Sequence, residues 1–200
     1  QCGADVVVLD LEDAVAADRK EAARAGAVDF LAQRGDQGPE VHVRINSLSS
    51  GLLDADLDAL VPSRPDAIIL PKAESGNDIS RVSAMIAARE ANAGLSDGVI
   101  RIVPIATETP GAIFNFGTYK NASARLAGLA WSSEDLATAL GTDTYYTDDG
   151  GLTDPFRLAR SLCLFGAAHA GVVALDRVFP NFRDNAALRR EAEAAARDGF

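Results

Sequence analysis

The sequence predicts an α/β fold on parallel strands, and within that class a (β/α)8 TIM barrel. Three observations carry this expectation. Apolar, β-branched runs of strand length alternate with helical patterns along the whole chain. Near-continuous hydrophobic strands of this kind belong to a parallel sheet covered on both faces. Second, the residues that follow the runs are charged: Glu12 and Asp13, Arg44, Lys72 and Glu74, Glu108, Glu134 and Asp135, Asp176. Parallel strands share one C-terminal edge, and in a barrel that edge is the active-site face. Third, no G-x-G-x-x-G or P-loop pattern occurs, which counts against an open sheet with a nucleotide at its switch point.

Element by element, Asp5–Asp10 reads as a strand and Asp18–Gln33 as a helix. Val41–Ile45 is the second strand, followed by a helical stretch near Leu53–Val61. Ala67–Leu70 is the third, with a helix from Asn77 to about Asn92. Ile100–Ala106 is the fourth, with a helical turn after Pro110. Leu126–Trp131 is the fifth, with a short helix over Ser133–Leu140. The polar segment Thr142–Thr153 is long enough to be a functional loop. A long helix, Pro155–Ala168, leads to a sixth strand at Val172–Leu175, and Asn185–Arg197 is the last helix.

Six strands are two short of a barrel. The expected places for the others are before Gln1 and after Phe200, since the chain has no initiator Met and reads as a piece of a longer polypeptide. Residues 1–200 are expected to be one catalytic barrel domain, truncated at both ends.

Composition narrows the function. The net charge of −10 speaks against nucleic acid, whose phosphates need a basic surface. No apolar run approaches the roughly 18 residues of a membrane span. Cys2 and Cys163 cannot make a disulfide framework, so a reducing cytoplasm is expected. The two histidines, His42 and His169, are far apart, which makes a multi-histidine zinc site a poor expectation.

Several residues can carry chemistry. Glu108 and Asp135 follow consecutive strands, and two carboxylates completed by water and substrate oxygens can hold Mg²⁺; solvated loop carboxylates are the plainer reading. Glu12 and Asp13 form a dense acidic cluster that needs a cation or hydrogen bonds; they could equally cap a helix start. Arg44 lies inside an apolar strand and cannot stay unpaired there. Its fork suits a carboxylate or enolate oxygen, or an ion pair with Glu12. Lys72 is read as an electrostatic contact to substrate or to Glu74, with a Schiff-base nucleophile and a solvated surface lysine as alternatives. Ser132 to Asp135 open a helix whose free N–H groups suit a carboxylate, or which is merely capped by serine. Thr107 and Thr109 are read as satisfying local backbone, and His42, His169, Cys163 and Trp131 as structural.

The segments DLEDAV (10–15), VRIN (43–46), LPKAE (70–74), ETPGA (108–112), SSEDLATALG (132–141) and ALDRVF (174–179) occur in order. Together they resemble the citrate lyase β-subunit family of the HpcH/HpaI aldolase superfamily, which includes malyl-CoA and citramalyl-CoA lyases. The resemblance spans essentially the whole chain. It implies a (β/α)8 barrel, Mg²⁺ held by Glu108 and Asp135, and Arg44 as a catalytic substrate contact with Glu12 in support; Asp13, from the acidic cluster itself, is expected as a further catalytic residue. It also implies that the backbone amides of Ser133, Glu134 and Asp135 bind the keto-acid carboxylate, and it implies an acyl-CoA substrate and a homotrimer or hexamer. Ser132-Ser133 departs from the Gly-Ala or Gly-Pro of many relatives, so the pocket shape or substrate is expected to differ. The family's IHP-like strand and C-terminal lid are expected beyond Phe200. The reaction expected is Mg²⁺-dependent cleavage of a 3-hydroxy-acyl thioester to a 2-keto acid and an acyl thioester. A CoA-independent class II pyruvate aldolase, a malyl-CoA-type thioesterase, a subunit working with an acyl carrier protein, and an inactive paralogue are the alternatives.

Overall fold

The computed structural model describes residues 3–35, 38–181 and 183–200. The expectations placed on Gln1 and Cys2 lie outside them. Six strands run through the described residues: β1 (Val6–Asp10), β2 (Glu40–Arg44), β3 (Ala67–Leu70), β4 (Arg101–Pro104), β5 (Gly128–Ala130) and β6 (Val173–Leu175). The helices between and after them are α1 (Lys20–Gln33), α2 (Leu53–Leu60), α3 (Gly76–Asn92), α4 (Glu134–Leu140), α5 (Asp154–Ala170) and α6 (Asn185–Asp198).

All strand pairs are parallel and follow chain order. Parallel bridges Ile102↔Leu126 and Ile105↔Ala130 join β4 to β5. This is the βα succession of a TIM barrel, and the described residues supply six of its eight strands. β1 and β6 each pair on one side, exposing Val8 (50%) and Val173 (63%).

The register decides what shares an edge. Asp10 is level with Arg44, Arg44 with Ile69, Leu70 with Pro104, and Ala130 with Leu175. The residues just past each strand therefore emerge together.

Local signals explain the helix ends. Ser75 and Asp78 form a capping box at the start of α3. Gly76 is required there, because a Cβ would lie 2.0 Å from the Thr118 carbonyl oxygen. Proline in the first turn of α5 and left-handed Gly171 after its last turn bound that helix. The fourth predicted strand is shorter than expected, because its end leaves one neighbour for two. Ile105 N still donates to Leu70 O (2.9 Å), whereas Ala106 N turns to Ala130 O (2.8 Å). The predicted turn after Pro110 is an eight-residue 3₁₀ run, Ala112–Tyr119, whose Phe116 and Tyr119 are buried.

One hydrophobic core joins the sheet to α1, α2, α3 and α5, with Trp131, Tyr119 and Phe156 among its largest fully buried members. Cys163 lies in it, as expected. His42 is buried beside Glu40, while His169 is exposed in the last turn of α5. No helix among the described residues is long and apolar enough to cross a membrane.

Four buried or half-buried carboxylates are held by cations and amides. Glu90, fully buried, accepts from both Nη atoms of Arg125 (2.8 and 2.5 Å) and from the amides of Gly98 and Ile100. Burial opposes ionisation of Glu90, yet Arg125 and the two amides hold its pKa below the usual carboxylate range. Asp10, Asp66 and Asp176 are held low against burial in the same way, by Arg44, by the Val41 amide and Arg34, and by Arg160 and Trp131. A carboxylate with a depressed folded pKa adds stability above its unfolded value and loses it as pH falls through the folded value. Through these four groups the midpoint of chemical unfolding is expected to drop as the pH falls from about 4 to 3. Urea titrations across that range check this; a midpoint unchanged down to pH 3 would contradict it.

A carboxylate-rich candidate active site at the strand ends

Asp10 and Arg44 end neighbouring strands at the same level. They form a two-pronged ion pair, with Arg44 Nε donating to Asp10 Oδ1 (2.8 Å) and Nη2 to Oδ2. Such fork-to-fork pairing fixes the guanidinium plane. Asp10 also accepts from the amides of Glu12 (2.8 Å) and Ala14 (3.3 Å), which folds the DLED segment over the strand end. Lys20 ties that turn down from α1 through the carbonyls of Leu11 and Glu12, both at 2.7 Å. The third nitrogen of Arg44, Nη1, reaches Glu12 Oε2 at 3.2 Å. Fully buried Asp56 accepts from Asn46 N and Nδ2 and from Arg24, anchoring the chain just past Arg44.

Lys72 is the hub of the site. Its ammonium is bonded to Glu12 Oε1 and lies 3.5 Å from Asp13 Oδ2 and 3.4 Å from Asp135 Oδ2. Burial opposes its charge, but these carboxylates keep its pKa above the usual lysine range. A nucleophilic, neutral amine is thereby disfavoured. Lys72 has left-handed backbone (φ +53°), and its amide donates to Glu108 Oε2.

Glu108 is buried at 4% exposure, within hydrogen-bonding reach of Asp135. Burial first, and Asp135 second, push its pKa up to about 8 against the pull of the Lys72 amide. The ion count has the same sense. Among the described residues, the ion pairs of Asp10, Glu12, Asp13 and Asp135 run to Arg44 and Lys72, Glu108 has the Lys72 amide, and Lys20 is bonded to the carbonyls of Leu11 and Glu12. Carboxylates crowded in this way lack a positive partner, and a hard cation with oxygen ligands supplies one. Among the described residues no group of three or more His, Cys, Asp or Glu side chains could hold a metal ion alone. The pair Glu108–Asp135 thus fits a cation that keeps positions for water and substrate, and not a closed protein cage.

Glu134 is engaged elsewhere. Its carboxylate accepts from Ser132 Oγ (3.0 Å), Ser133 N (3.3 Å) and Tyr145 Oη (3.0 Å). It therefore covers the Ser133 amide that the sequence reading offers to substrate. Ser133 Oγ is buried without a hydrogen-bond partner.

The structure brings Glu12, Asp13, Arg44, Lys72, Glu108 and Asp135 together and places Ser133 and Glu134 beside them. Sequence reasoning missed Asp10, Lys20 and Tyr145 as parts of the site. The signal for Asp10 was present, since it is the charged residue one strand over from Arg44. Nothing in the sequence marks Lys20 or Tyr145.

A cavity of about 400 Å³ lies between Arg34, Glu40, Arg64 and Asp66. These residues flank the N-terminal ends of β2 and β3, the edge opposite to the carboxylates.

Comparison with known proteins shows the family. The profile of the HpcH/HpaI aldolase/citrate lyase family matches residues 1–200. The chain belongs to that family. It is 34% identical over 199 residues to the citrate lyase subunit beta of Leuconostoc mesenteroides subsp. cremoris, covering 99% of this chain and 64% of that protein. It is 32% identical over 208 residues to the mitochondrial citramalyl-CoA lyase of Homo sapiens, covering 98% and 58%. The chain thus spans less than two thirds of these relatives' length. Among solved structures it is similar to the protein CitE of Mycobacterium tuberculosis in complex with magnesium and acetoacetate. The TM-score there is 0.81 at 33% identity, over 98% of this chain and 74% of that one. Family membership accounts for the TIM barrel and for the ordered motifs along the strand ends.

Proposed function

We propose that the whole protein is a Mg²⁺-dependent carbon–carbon lyase. It cleaves a 3-hydroxy-acyl thioester of CoA, of the citryl, malyl or citramalyl type, to a 2-keto acid and an acyl thioester. The observation that carries this reading is the buried, under-compensated pair Glu108–Asp135 beside a fixed arginine. The magnesium in the M. tuberculosis relative and the CoA ester named for the human one support it. Residues 1–200 form the catalytic barrel domain in this reading. The family resemblance extends it to a cytoplasmic homotrimer or hexamer.

Glu108 and Asp135 would hold the Mg²⁺, which supplies Lewis-acid polarisation of the substrate's oxygens. Lys72, bonded to Glu12 and 3.4 Å from Asp135, would keep a positive charge beside that pair. Arg44 faces the developing thioester enolate, its plane locked by Asp10, so it needs little reorganisation as charge appears. The hydroxyl proton passes to the Glu12–Asp13 pair. Asp13 is the freer of the two, with its side chain 61% exposed and a single long contact to Lys72. As the C–C bond breaks, the same carboxyl returns the proton to the enolate carbon, which balances the reaction. A substrate carboxylate must displace Glu134 to use the Ser133 amide.

The test is release of a keto acid from malyl-, citramalyl- and citryl-CoA by the full-length protein, with and without Mg²⁺. Mg²⁺-dependent release from one of them supports the lyase and names its substrate. Free CoA without keto acid would indicate a thioesterase. Mg²⁺ binding without turnover of any ester would favour a carrier-dependent subunit or a CoA-independent aldolase.

A further inference from the structure

Thr107 is fully buried, directly before Glu108, on the side facing β5. Its hydroxyl makes two hydrogen bonds to one residue. It donates to Ser132 O (2.9 Å) and accepts from Ser132 N (2.8 Å). The backbone ladder between β4 and β5 reaches only as far as Ala106 N, which donates to Ala130 O (2.8 Å). Past that point the Thr107 side chain stands in for a peptide group and continues the pairing by one step.

What lies beyond the clamp gives it meaning. Glu108 is the next residue on one chain, and Asp135 follows three residues after Ser132 on the other. Thr107 is β-branched, so its rotamer is restricted, and a buried hydroxyl bonded in both directions is doubly fixed. Lys72 also touches both carboxylates, but through two separate groups at the end of a third strand, β3, and it does not join β4 to β5. The Lys72 amide holds Glu108, and the Lys72 ammonium approaches Asp135.

We propose that Thr107 is a positioning residue: its hydroxyl locks the end of β4 to the end of β5 and thereby sets the spacing of Glu108 and Asp135 as a cation-binding pair. This rests on the metal reading above. It goes beyond satisfying local backbone, because the two groups it joins belong to different strands. Groups that orient ligands in this way typically account for a 10- to 100-fold change in metal affinity, on the order given by ligand-supporting hydrogen bonds elsewhere.

The test is calorimetric titration of the full-length protein with Mg²⁺ alone, alongside its melting temperature without added cation. Thr107→Val keeps the shape and removes both bonds; Thr107→Ser keeps the hydroxyl. The expected result is Mg²⁺ affinity about 10-fold weaker in the valine variant and largely restored in the serine variant. A valine variant that melts lower but binds Mg²⁺ as the wild type does would overturn the proposal and leave Thr107 a purely structural residue. Should the valine variant not fold, Thr107→Ala takes its place, and unchanged affinity there overturns the proposal equally. Glu108→Gln is titrated in parallel. If it binds Mg²⁺ like the wild type, the metal assignment itself fails, and the clamp has no pair to position.

Discussion

Glu108→Gln is expected to lower Mg²⁺-dependent keto-acid release by at least about 1,000-fold, on the order of the 4 kcal/mol that a Lewis acid contributes. The amide is nearly isosteric and can still accept from the Lys72 amide. The fold should therefore persist, and the melting temperature of the cation-free protein should not fall. It should if anything rise, because the substitution removes a buried carboxylate whose ionisation is opposed by burial and by Asp135. The two readouts move in opposite directions, which separates loss of the metal from loss of the fold. A variant that melts normally and turns over at the wild-type rate would refute Glu108 as a ligand.

Arg44→Lys is expected to lower kcat/KM about 100- to 1,000-fold, the usual consequence of losing one preorganised donor at a developing anion. Charge is kept, so electrostatics alone predicts a mild effect. Geometry predicts otherwise. Arg44 spends Nε and Nη2 on Asp10 and still presents Nη1 toward Glu12. An ammonium cannot grip both Asp10 oxygens in a plane and also point a donor across the site. Steady-state kinetics on the ester identified above would check this. A lysine variant with near-wild-type kcat/KM would reduce Arg44 to a structural counter-ion for Asp10.

Much of the fold was legible in advance because it is written in local patterns. The run Ala67–Leu70 is apolar at every position and became β3 with those bounds. Asn185–Arg197 carries helical periodicity between polar ends and became α6 with one residue added. The charged residues past the strands could be placed on one edge without a structure, since parallel strands allow no other arrangement. Where boundaries moved, as in the fourth strand, the cause was a partner remote in sequence.

The sequence by itself therefore determined the βα succession, the edge that carries the chemistry, and the identity of the carboxylates, Arg44 and Lys72 that meet there. Only the tertiary structure decided their pairings. It showed that Asp10 takes two nitrogens of Arg44 while Glu12 pairs with the third, that Lys72 bridges Glu12 toward Asp135, that Glu134 turns back onto Ser132 and Tyr145, and that Thr107 bonds across to Ser132. The physical reason is range. Strand and helix follow from neighbours a few residues apart. An ion pair or a buried hydrogen bond between strands is set by register and distance, and neither exists until the sheet has formed.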